Sequence, residues 1–463
     1  MLFGDKVKYD VGIVGGGPAG LFAAYELSKN GFSVIIIDRG LKPLEREQKF
    51  IENNFNQNGN SIVLSGIGGS GLFSDGKLNF IPILGKTDLT QFLEKSEAQD
   101  LIDYIEGIFN EFGMDGKTYP TDMNSAMKYK DIAKMNGINL LLIKQKHIGS
   151  DILPKRINKF MNYLIEKGVK INTNEDVKEI MVSDSHVTGL RADKNTYECK
   201  NVIVAPGRVG ASWLDEEAKR LGINVVYRGV EIGVRVEVPS EILDEITNII
   251  YDPTFFIRTE KYDDVVRTFC TNRNGFVTEE KYKSFVCVNG HSYKNKKSRN
   301  SNFALLNKVE LTQPFTNTLK YGESIGALSS TIGDGKIILQ RYVDLKKGRR
   351  STWERIKKSY VTPTFKNVTP GDISMALPAR VVANIIDGLE KLNHIIPGVA
   401  SNSTLLYAPE IKFFSTQIET DKDLQTKIGG LYVAGDGAGV SGNIVGAAAT
   451  GIIASRGIIK NSS

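Results

Sequence analysis

A strand that runs into a glycine-rich turn and then into a helix leaves few architectures open, and this chain shows that order near its start. Residues 9–14 (Tyr-Asp-Val-Gly-Ile-Val) read as a short apolar strand. Gly15-Gly16-Gly17-Pro18-Ala19-Gly20 follows, with Gly15, Gly17 and Gly20 in G-x-G-x-x-G register. Residues 21–30 read as a helix closed by Gly31, and residues 33–37 as a second strand ending on Asp38. The three glycines serve different physical ends. Gly15 turns the chain out of the strand, Gly17 lets a pyrophosphate approach the backbone, and Gly20 lets the helix sit close on the strand. The helix N-terminus offers free N–H groups and a positive dipole end to phosphates. Asp38 lies about 20 residues beyond the turn, where a carboxylate accepts hydrogen bonds from an adenosine ribose. The pattern predicts a parallel α/β dinucleotide-binding unit. A glycine turn in another parallel α/β protein is the alternative, and the full order of elements argues against it.

Near the other end, residues 430–436 (Gly-Leu-Tyr-Val-Ala-Gly-Asp) read as a buried strand ending in Gly435-Asp436, ahead of a small-residue helix over 445–455. A strand ending in Ala-Gly-Asp before a helix resembles the second FAD signature of two-dinucleotide-fold flavoproteins. That resemblance implies FAD, with Asp436 on the ribityl chain or diphosphate and the N–H groups of Gly442, Asn443 and Ile444 facing flavin N1 and O2; the sequence has no recognisable motif for a histidine, cysteine or tyrosine linkage, so the FAD is expected to be held non-covalently. The physics agrees, because reduced flavin carries negative charge near N1 and a helix N-terminus stabilises an anion there. The loop over 65–78 holds five glycines in fourteen residues, so its backbone can lie flat against a ligand. Its expected ligand is the diphosphate and isoalloxazine edge, with Lys77 offering charge near the flavin; a surface Ω-loop is the alternative. The expected cofactor-binding set is Gly15, Gly17, Pro18, Ala19, Gly20, Asp38, Arg39, Arg46, Gly68, Gly69, Ser70, Lys77, Val177, Gly207, Gly435, Asp436, Gly442, Asn443 and Ile444.

Composition excludes several classes. At 463 residues the chain exceeds one typical core. Hydrophobic content of 41% and charged content of 24% are those of a globular protein. A net charge of +6 permits an anionic substrate without arguing for nucleic acid. The three cysteines, Cys199, Cys270 and Cys287, form no C-x-x-C pair, which argues against a redox disulfide, a metal centre and a secreted disulfide framework. No apolar run reaches about 18 residues, so no membrane span is expected. Cleaving the N-terminus as a signal peptide would destroy the nucleotide turn. The expectation is a cytoplasmic enzyme.

The organisation reads as discontinuous. Residues 1–87 form the first part of the FAD-binding domain, 88–145 a helical insertion, 146–214 the second part, 215–395 a substrate domain and 396–463 the third part. The fold class is α/β: a glutathione-reductase-like FAD-binding Rossmann domain with an inserted α+β domain on a mostly antiparallel sheet. Residues 88–112 show helical spacing through Phe92, Leu101, Ile102, Ile105 and Phe109. A helix capped at Gly149-Ser150-Asp151 runs to about Gly168. Strands follow over 169–172, 177–182, 187–192 and 201–205. A second complete G-x-G-x-x-G is absent, since Gly207-Arg208-Val209-Gly210 is too short. The flavin is therefore expected to meet its donor or acceptor transiently, be it substrate, NAD(P)H, a ferredoxin-like protein or oxygen.

Segments spread over nearly the whole chain are similar to the bacterial "FAD-dependent dehydrogenase" or "NAD(FAD)-utilizing dehydrogenase" family, related in fold to geranylgeranyl-reductase-like flavoproteins. They are GGGPAGLFAAYEL, GIGGSGLFSDGKL, HIGSD, GVRVE, VRTFC, VNGHS, SNFALL and the GDGAG tail. The resemblance implies FAD and an oxidoreductase, without a substrate. Thr271-Asn272-Arg273 follows VRTFC where the family carries a second cysteine and a proline, and Asp436 replaces a glutamate of the family tail.

For chemistry beyond the flavin, His291 in the VNGHS turn is a candidate general acid or base, since histidine titrates near neutrality. A hydrogen-bonded turn histidine is the plainer alternative. Cys270 is a candidate redox residue or a small core residue. Arg267, with Arg235, would bind a carboxylated substrate or form an internal salt bridge. The basic stretches over 294–299 and 346–350 read as solvated faces that can steer an anionic substrate or an acidic electron-transfer protein. The expected function is hydride transfer between flavin and a small organic substrate. The alternatives are a monooxygenase, weakened because Gly435-Asp436-Gly437-Ala438-Gly439 lacks the Ala-Ala-His of aromatic hydroxylases, and an RNA-modifying flavoprotein.

Overall fold

The computed structural model describes residues 7–52, 56–57, 60–73, 76–149, 151–226, 229–282, 284–293, 296–309, 311, 318–413 and 417–462. Ser74, Asp75 and Ser150, named in the expected loop and helix cap, lie outside the described residues, as do Lys294 and Asn295. The chain divides into two compact units. One comprises residues 1–117, 146–228 and 415–463, and the other 118–145 and 229–414.

The first unit is built on a sheet with strand order Lys170–Asn172, Val34–Ile37, Val7–Val14, Thr196–Val204, His186–Ala192, Val177–Ser183. Leu431–Val433 pairs in parallel with the C-terminal half of Thr196–Val204. The first four strands in that order are parallel, and the last two form an antiparallel flap. Val34–Ile37 is a run of four buried β-branched residues, the signature of a strand covered on both faces. The helices Pro18–Lys29 and Ile444–Ser462 pack against each other. They approach so closely that a Cβ on Gly451 would lie 2.1 Å from the Ala19 carbonyl oxygen, which is why the tail helix is written in small residues. Residues 88–112 form a 3-10 turn and the helix Lys95–Glu111, whose Phe109 ring meets Phe22 at 4.9 Å in the core.

The second unit holds an eight-stranded sheet, ordered Val368–Pro370, Ile337–Arg341, Leu405–Phe413, Val230–Pro239, Asn300–Val309, Val265–Asn272, Thr254–Arg258, Ile138–Leu141. Every pairing described is antiparallel except that of its first two strands. Alternation along Val230–Pro239 sends Ile232, Val234 and Val236 to one face and Glu231, Arg235 and Glu237 to the other, and both sets are buried. The apolar face packs on the helix Ala379–Asn393, where a Cβ on Gly388 would lie 2.7 Å from Val266 Cγ2. The charged face is covered by the hairpin of Phe276–Lys281 and Val286–His291, since a Cβ on Gly290 would lie 2.2 Å from Arg235 Nη1. The fold is α/β, with a discontinuous Rossmann-type unit and a mostly antiparallel second unit. No helix among the described residues is long and apolar enough to cross a membrane.

Candidate functional site

In the first unit the strand Val7–Val14 ends in a turn that demands glycine. Gly15 has φ +97°, a left-handed conformation, and a Cβ there would lie 2.2 Å from the Ala205 carbonyl oxygen. A Cβ on Gly20 would lie 2.0 Å from the Gly15 oxygen, so helix and turn are in direct contact. Gly17, the residue before Pro18–Lys29, is different. A Cβ there would meet only Gly69 Cα, at 3.8 Å, so its face is open. Pro18 takes the first helical position, where no N–H is needed. The N–H groups of Ala19 and Gly20 lie in the first turn, where the helix supplies no acceptor. These groups and the dipole end of the helix form a cradle for an anion.

A cleft opens at this turn. Gly15, Gly17, Asp38 and Arg39 of the expected set line it, together with Gly69, Ser70, Val177 and Gly207. Asp38 Oδ2 accepts the Gly16 N–H at 2.7 Å and Oδ1 accepts the Gly40 N–H at 2.8 Å. Each oxygen keeps a lone pair for a ligand hydroxyl. Arg39 is paired with Asp176 at 3.2 Å. Glu175, buried beside them, accepts from Tyr197 Oη at 2.9 Å. Burial and that carboxylate push the Tyr197 hydroxyl up to about 12. Glu175, Asp176, Arg208 and Trp213 also line the cleft. No sequence motif marks them, because they come from strands and turns that only the sheet topology brings together.

Two expected ligands of the cofactor do something else. Arg46 is fully buried and donates to five backbone carbonyls: Ile62 (2.9 Å), Gly66 (3.2 Å), Ile67 (2.7 Å), Val63 (3.1 Å) and Gly69 (2.9 Å). All five guanidinium N–H groups are thereby used, so Arg46 shapes the glycine loop and has no donor left for a ligand. Lys77 opens the strand Lys77–Phe80 and is not among the residues lining the cleft. The loop itself is held to the first turn by the Gly68 N–H, which donates to the Gly16 carbonyl at 2.8 Å.

The tail completes the site. Gly435 N–H donates to Thr450 Oγ1 at 2.9 Å, fixing the strand end on the tail helix. Asp436 receives Arg208 Nε at 2.7 Å on one oxygen and the Lys86 ammonium on the other. Burial pushes the Asp436 carboxyl up, and Lys86 and Arg208 overcome that, holding it below its usual range. The Gly442 N–H, expected to face the flavin, instead donates to Thr87 Oγ1 at 2.9 Å, and Asn443 Nδ2 donates to the same oxygen at 3.0 Å. Asn443 Oδ1 accepts the Gly446 N–H at 2.7 Å and so caps the tail helix. Ile444 lines a small apolar cavity with Pro18, Leu21, Phe22 and Gly68. Lys86 and Thr87 are not marked by any motif. The only signal in the sequence is a Gly85-Lys86 turn between two short runs, Ile83–Leu84 and Thr87–Asp88.

The second unit holds the other candidates. Arg267 is buried, and its Nη1 has no hydrogen-bond partner among the described residues. Its guanidinium makes a two-point ion pair with buried Glu231, at 2.6 Å to each oxygen, and lies 4.6 Å over the Phe269 ring. Cys270 has φ +53° at a bulge between Phe269 and Asn272. Its carbonyl accepts from Asn272 Nδ2 at 2.8 Å and Arg235 Nη1 at 3.2 Å. Arg235 in turn is paired with fully buried Glu410 at 2.7 Å. Ser292 Oγ donates to Asn272 Oδ1 at 3.2 Å, so residues 270–272 and 290–292 meet in one polar network. His291 ends the strand Val286–His291, half-buried, with Tyr293 edge-on at 4.5 Å.

Residues 229–412 match the family "FAD-dependent protein, C-terminal domain-like". Residues 13–43 match "NAD(P)-binding Rossmann-like domain" and residues 364–462 "Glucose inhibited division protein A". A Clostridium beijerinckii protein, itself described only as uncharacterized, is 25% identical over 98% of this chain and 82% of its own length. Among solved structures, a 3-ketosteroid-Δ4-(5α)-dehydrogenase from Rhodococcus jostii has a TM-score of 0.45 and 11% identity, covering 98% of this chain and 97% of its own. L-proline dehydrogenase from P. horikoshii has a TM-score of 0.38 and 13% identity, with 98% and 94% coverage. Glycine oxidase from Bacillus cereus has a TM-score of 0.39 and 13% identity, with 98% and 96% coverage. With a Rossmann-type cradle and a C-terminal part of the FAD-dependent type on one chain, the protein is an FAD-dependent oxidoreductase.

Proposed function

We propose that this enzyme is a dehydrogenase or reductase that moves a hydride between FAD and a small organic substrate, meeting its other redox partner transiently. The observation that carries the reading is the nucleotide cradle, whose cleft both Asp38 and Arg208 line, with Arg208 in turn bonded to Asp436. The residues fit the cofactor. Gly17 leaves room for a diphosphate at the first turn of the helix, where the N–H groups of Ala19 and Gly20 have no helical acceptor. Asp38 holds the adenosine ribose, Arg39 and Val177 border the adenine end, and Asp436 with the start of the tail helix holds the ribityl and flavin end. Bound FAD supplies the two-electron centre. His291 donates or accepts the proton that accompanies hydride transfer, and the bulge at Cys270 positions the network beside it. The basic surface favours a small anionic substrate, with NAD(P)H or an acidic electron-transfer protein as the partner. Its free cysteines suit a cytoplasmic setting, and the "NAD(FAD)-utilizing" kinship and its geranylgeranyl-reductase-like relatives remain part of this reading.

Denaturing the purified yellow protein in acid tests the cofactor. Free FAD in the supernatant is expected. Release of FMN would overturn the diphosphate cradle, and colour retained in the pellet would overturn non-covalent binding.

A further inference from the structure

Residues 341–366, in the second unit, carry nine lysines and arginines against two acids, Asp344 and Glu354. The whole chain has a net charge of +6, so the rest of it holds no positive excess and the surplus is gathered in this one segment. The segment is not a loose tail. It leaves the strand Ile337–Arg341 and runs through the short helices Tyr342–Lys346 and Trp353–Lys357. Tyr342, Leu345, Ile356 and Val361 are buried and hold it to the core. Buried Asp344 is taken up by Arg341, Arg349 and Ser351. Lys346 pairs with Glu390 and Lys358 with Glu354. Lys347, Arg350, Arg355, Lys357 and Lys366 have no carboxylate at ion-pair distance among the described residues. Packing thus fixes a cluster of cations that repel one another, and a polyanionic surface would relieve that repulsion.

The segment also turns apolar side chains to water. Tyr360 is 95% exposed and Trp353 43%. Met375, 66% exposed, lies in the adjoining turn Ile373–Met375. Gln340 bridges that turn to the segment, donating to the Arg349 carbonyl at 2.9 Å and accepting the Ile373 N–H at 2.8 Å. Neither the Trp353 indole N–H nor the Tyr360 hydroxyl has a protein partner among the described residues. Rings with an apolar body and a free polar tip suit the headgroup layer of a bilayer, and clustered lysines and arginines are drawn to anionic lipid. Other polyanions fit less well. Lysine is depleted in the cores of protein–protein interfaces, and a thioether such as that of Met375 adds nothing to a platform for stacked bases. We propose that residues 341–366, with Met375, form a docking face for an anionic lipid bilayer. The cations meet the phosphate headgroups, and Trp353, Tyr360 and Met375 enter the boundary with the acyl chains. The face is peripheral, and it stands apart from the reading of the FAD site.

The test sediments the full-length protein with phosphatidylcholine vesicles that carry phosphatidylglycerol, and with vesicles of phosphatidylcholine alone. Binding is expected to the first and not to the second, and to weaken as salt is raised. The double variant Arg350→Glu, Lys357→Glu should bind about tenfold more weakly or worse. The control is Lys130→Glu, Lys134→Glu, with the same change in net charge. Those exposed lysines lie on the helix Met123–Met135, beside Ile138–Leu141 at the far edge of the eight-stranded sheet, so screening should leave affinity within about threefold of the wild type. With brominated acyl chains in the anionic vesicles, tryptophan emission should be quenched in the wild type and not in Trp353→Phe. If the charge-reversed double variant does not fold, Arg350→Gln, Lys357→Gln takes its place with the same expectation. No binding to the anionic vesicles overturns the proposal, and so does equal binding to both kinds. A loss in the control as large as that in Arg350→Glu, Lys357→Glu overturns it, because net charge alone then explains the binding. Quenching that survives in Trp353→Phe, or is missing from the wild type, overturns it as well. A protein that ignores the vesicles but binds a fluorescent uridine oligonucleotide gives the face to nucleic acid instead.

Discussion

The Arg46 guanidinium donates to the Ile67 carbonyl at 2.7 Å, one of five such bonds that hold the glycine loop in shape. Burial pushes its pKa down to about 10, against the opposing pull of Asp38. Arg46→Ala strands several buried carbonyls, each costing about 1–3 kcal/mol when left unsatisfied. The melting temperature should fall by roughly 6 °C or more, and FAD should wash out on dialysis. A melting curve that overlays the wild type would show that the loop does not need Arg46.

Asp38 serves the protein and the ligand at once. Asp38→Ala removes the acceptor for Gly16 and Gly40 and the proposed partner of the ribose hydroxyls. A hydrogen bond to a charged group is worth about 1.5–3 kcal/mol, so FAD affinity should fall tenfold or more in a fluorescence titration. Unchanged affinity would remove Asp38 from the ribose site.

The nucleotide turn and the tail signature are legible in the sequence because their chemistry is local: a strand, a turn that requires glycine, and a helix follow one another within a few residues. Arg46 looks like a cofactor ligand because nothing local shows that its partners are carbonyls of residues 62–69. The same holds for Gly442, whose N–H finds Thr87 far back in the chain. Arg267 in a strand-like stretch leaves two readings open, and only the pairing of neighbouring strands decides for Glu231. The helices Ser240–Ile249 and Ala379–Asn393 lie in a segment whose composition reads as sheet. The latter carries Val381, Ile385, Leu389 and Leu392 on one buried stripe, a spacing outweighed by the β-branched stretches around it.

The ion pair of Arg267 and Glu231 is a matter of stability. Glu231→Ala leaves a buried, uncompensated guanidinium and should cost about 3–5 kcal/mol. The double variant Glu231→Leu, Arg267→Met removes both charges and should be more stable than Glu231→Ala in the same thermal scan. A double variant that melts below Glu231→Ala would point to a role for the charges themselves.

His291→Ala should slow flavin reduction or reoxidation by substrate at least tenfold, since general acid–base help is typically worth about 10²–10⁴ in rate. The flavin spectrum and FAD content should stay as in the wild type. Stopped-flow traces matching the wild type would exclude His291 from proton transfer, and loss of FAD or of folding would assign it a structural role.

Asp344 gives a pH signature. Burial pushes its carboxyl up, but hydrogen bonds from Arg341, Ser351 and Arg349 outweigh that and hold it at about 2. A carboxyl held below its unfolded value adds stability that is complete above about pH 4 and is lost as the pH falls toward 2. Asp344→Asn should flatten the acid limb of the stability profile in that window. An acid limb identical to the wild type would show that the three donors do not favour the charged form.

The path of the chain through the first unit bears on how the enzyme is made. Thr196–Val204 waits for Leu431–Val433, and Pro18–Lys29 for Ile444–Ser462, while residues 229–414 are built in between. At ribosomal speeds of about 5–20 residues per second, that interval is on the order of tens of seconds. During it the nascent chain displays an unfinished parallel sheet with an open edge and an uncovered helix. Residues 229–414 have the time to fold before the strand and helix that complete the nucleotide sheet emerge.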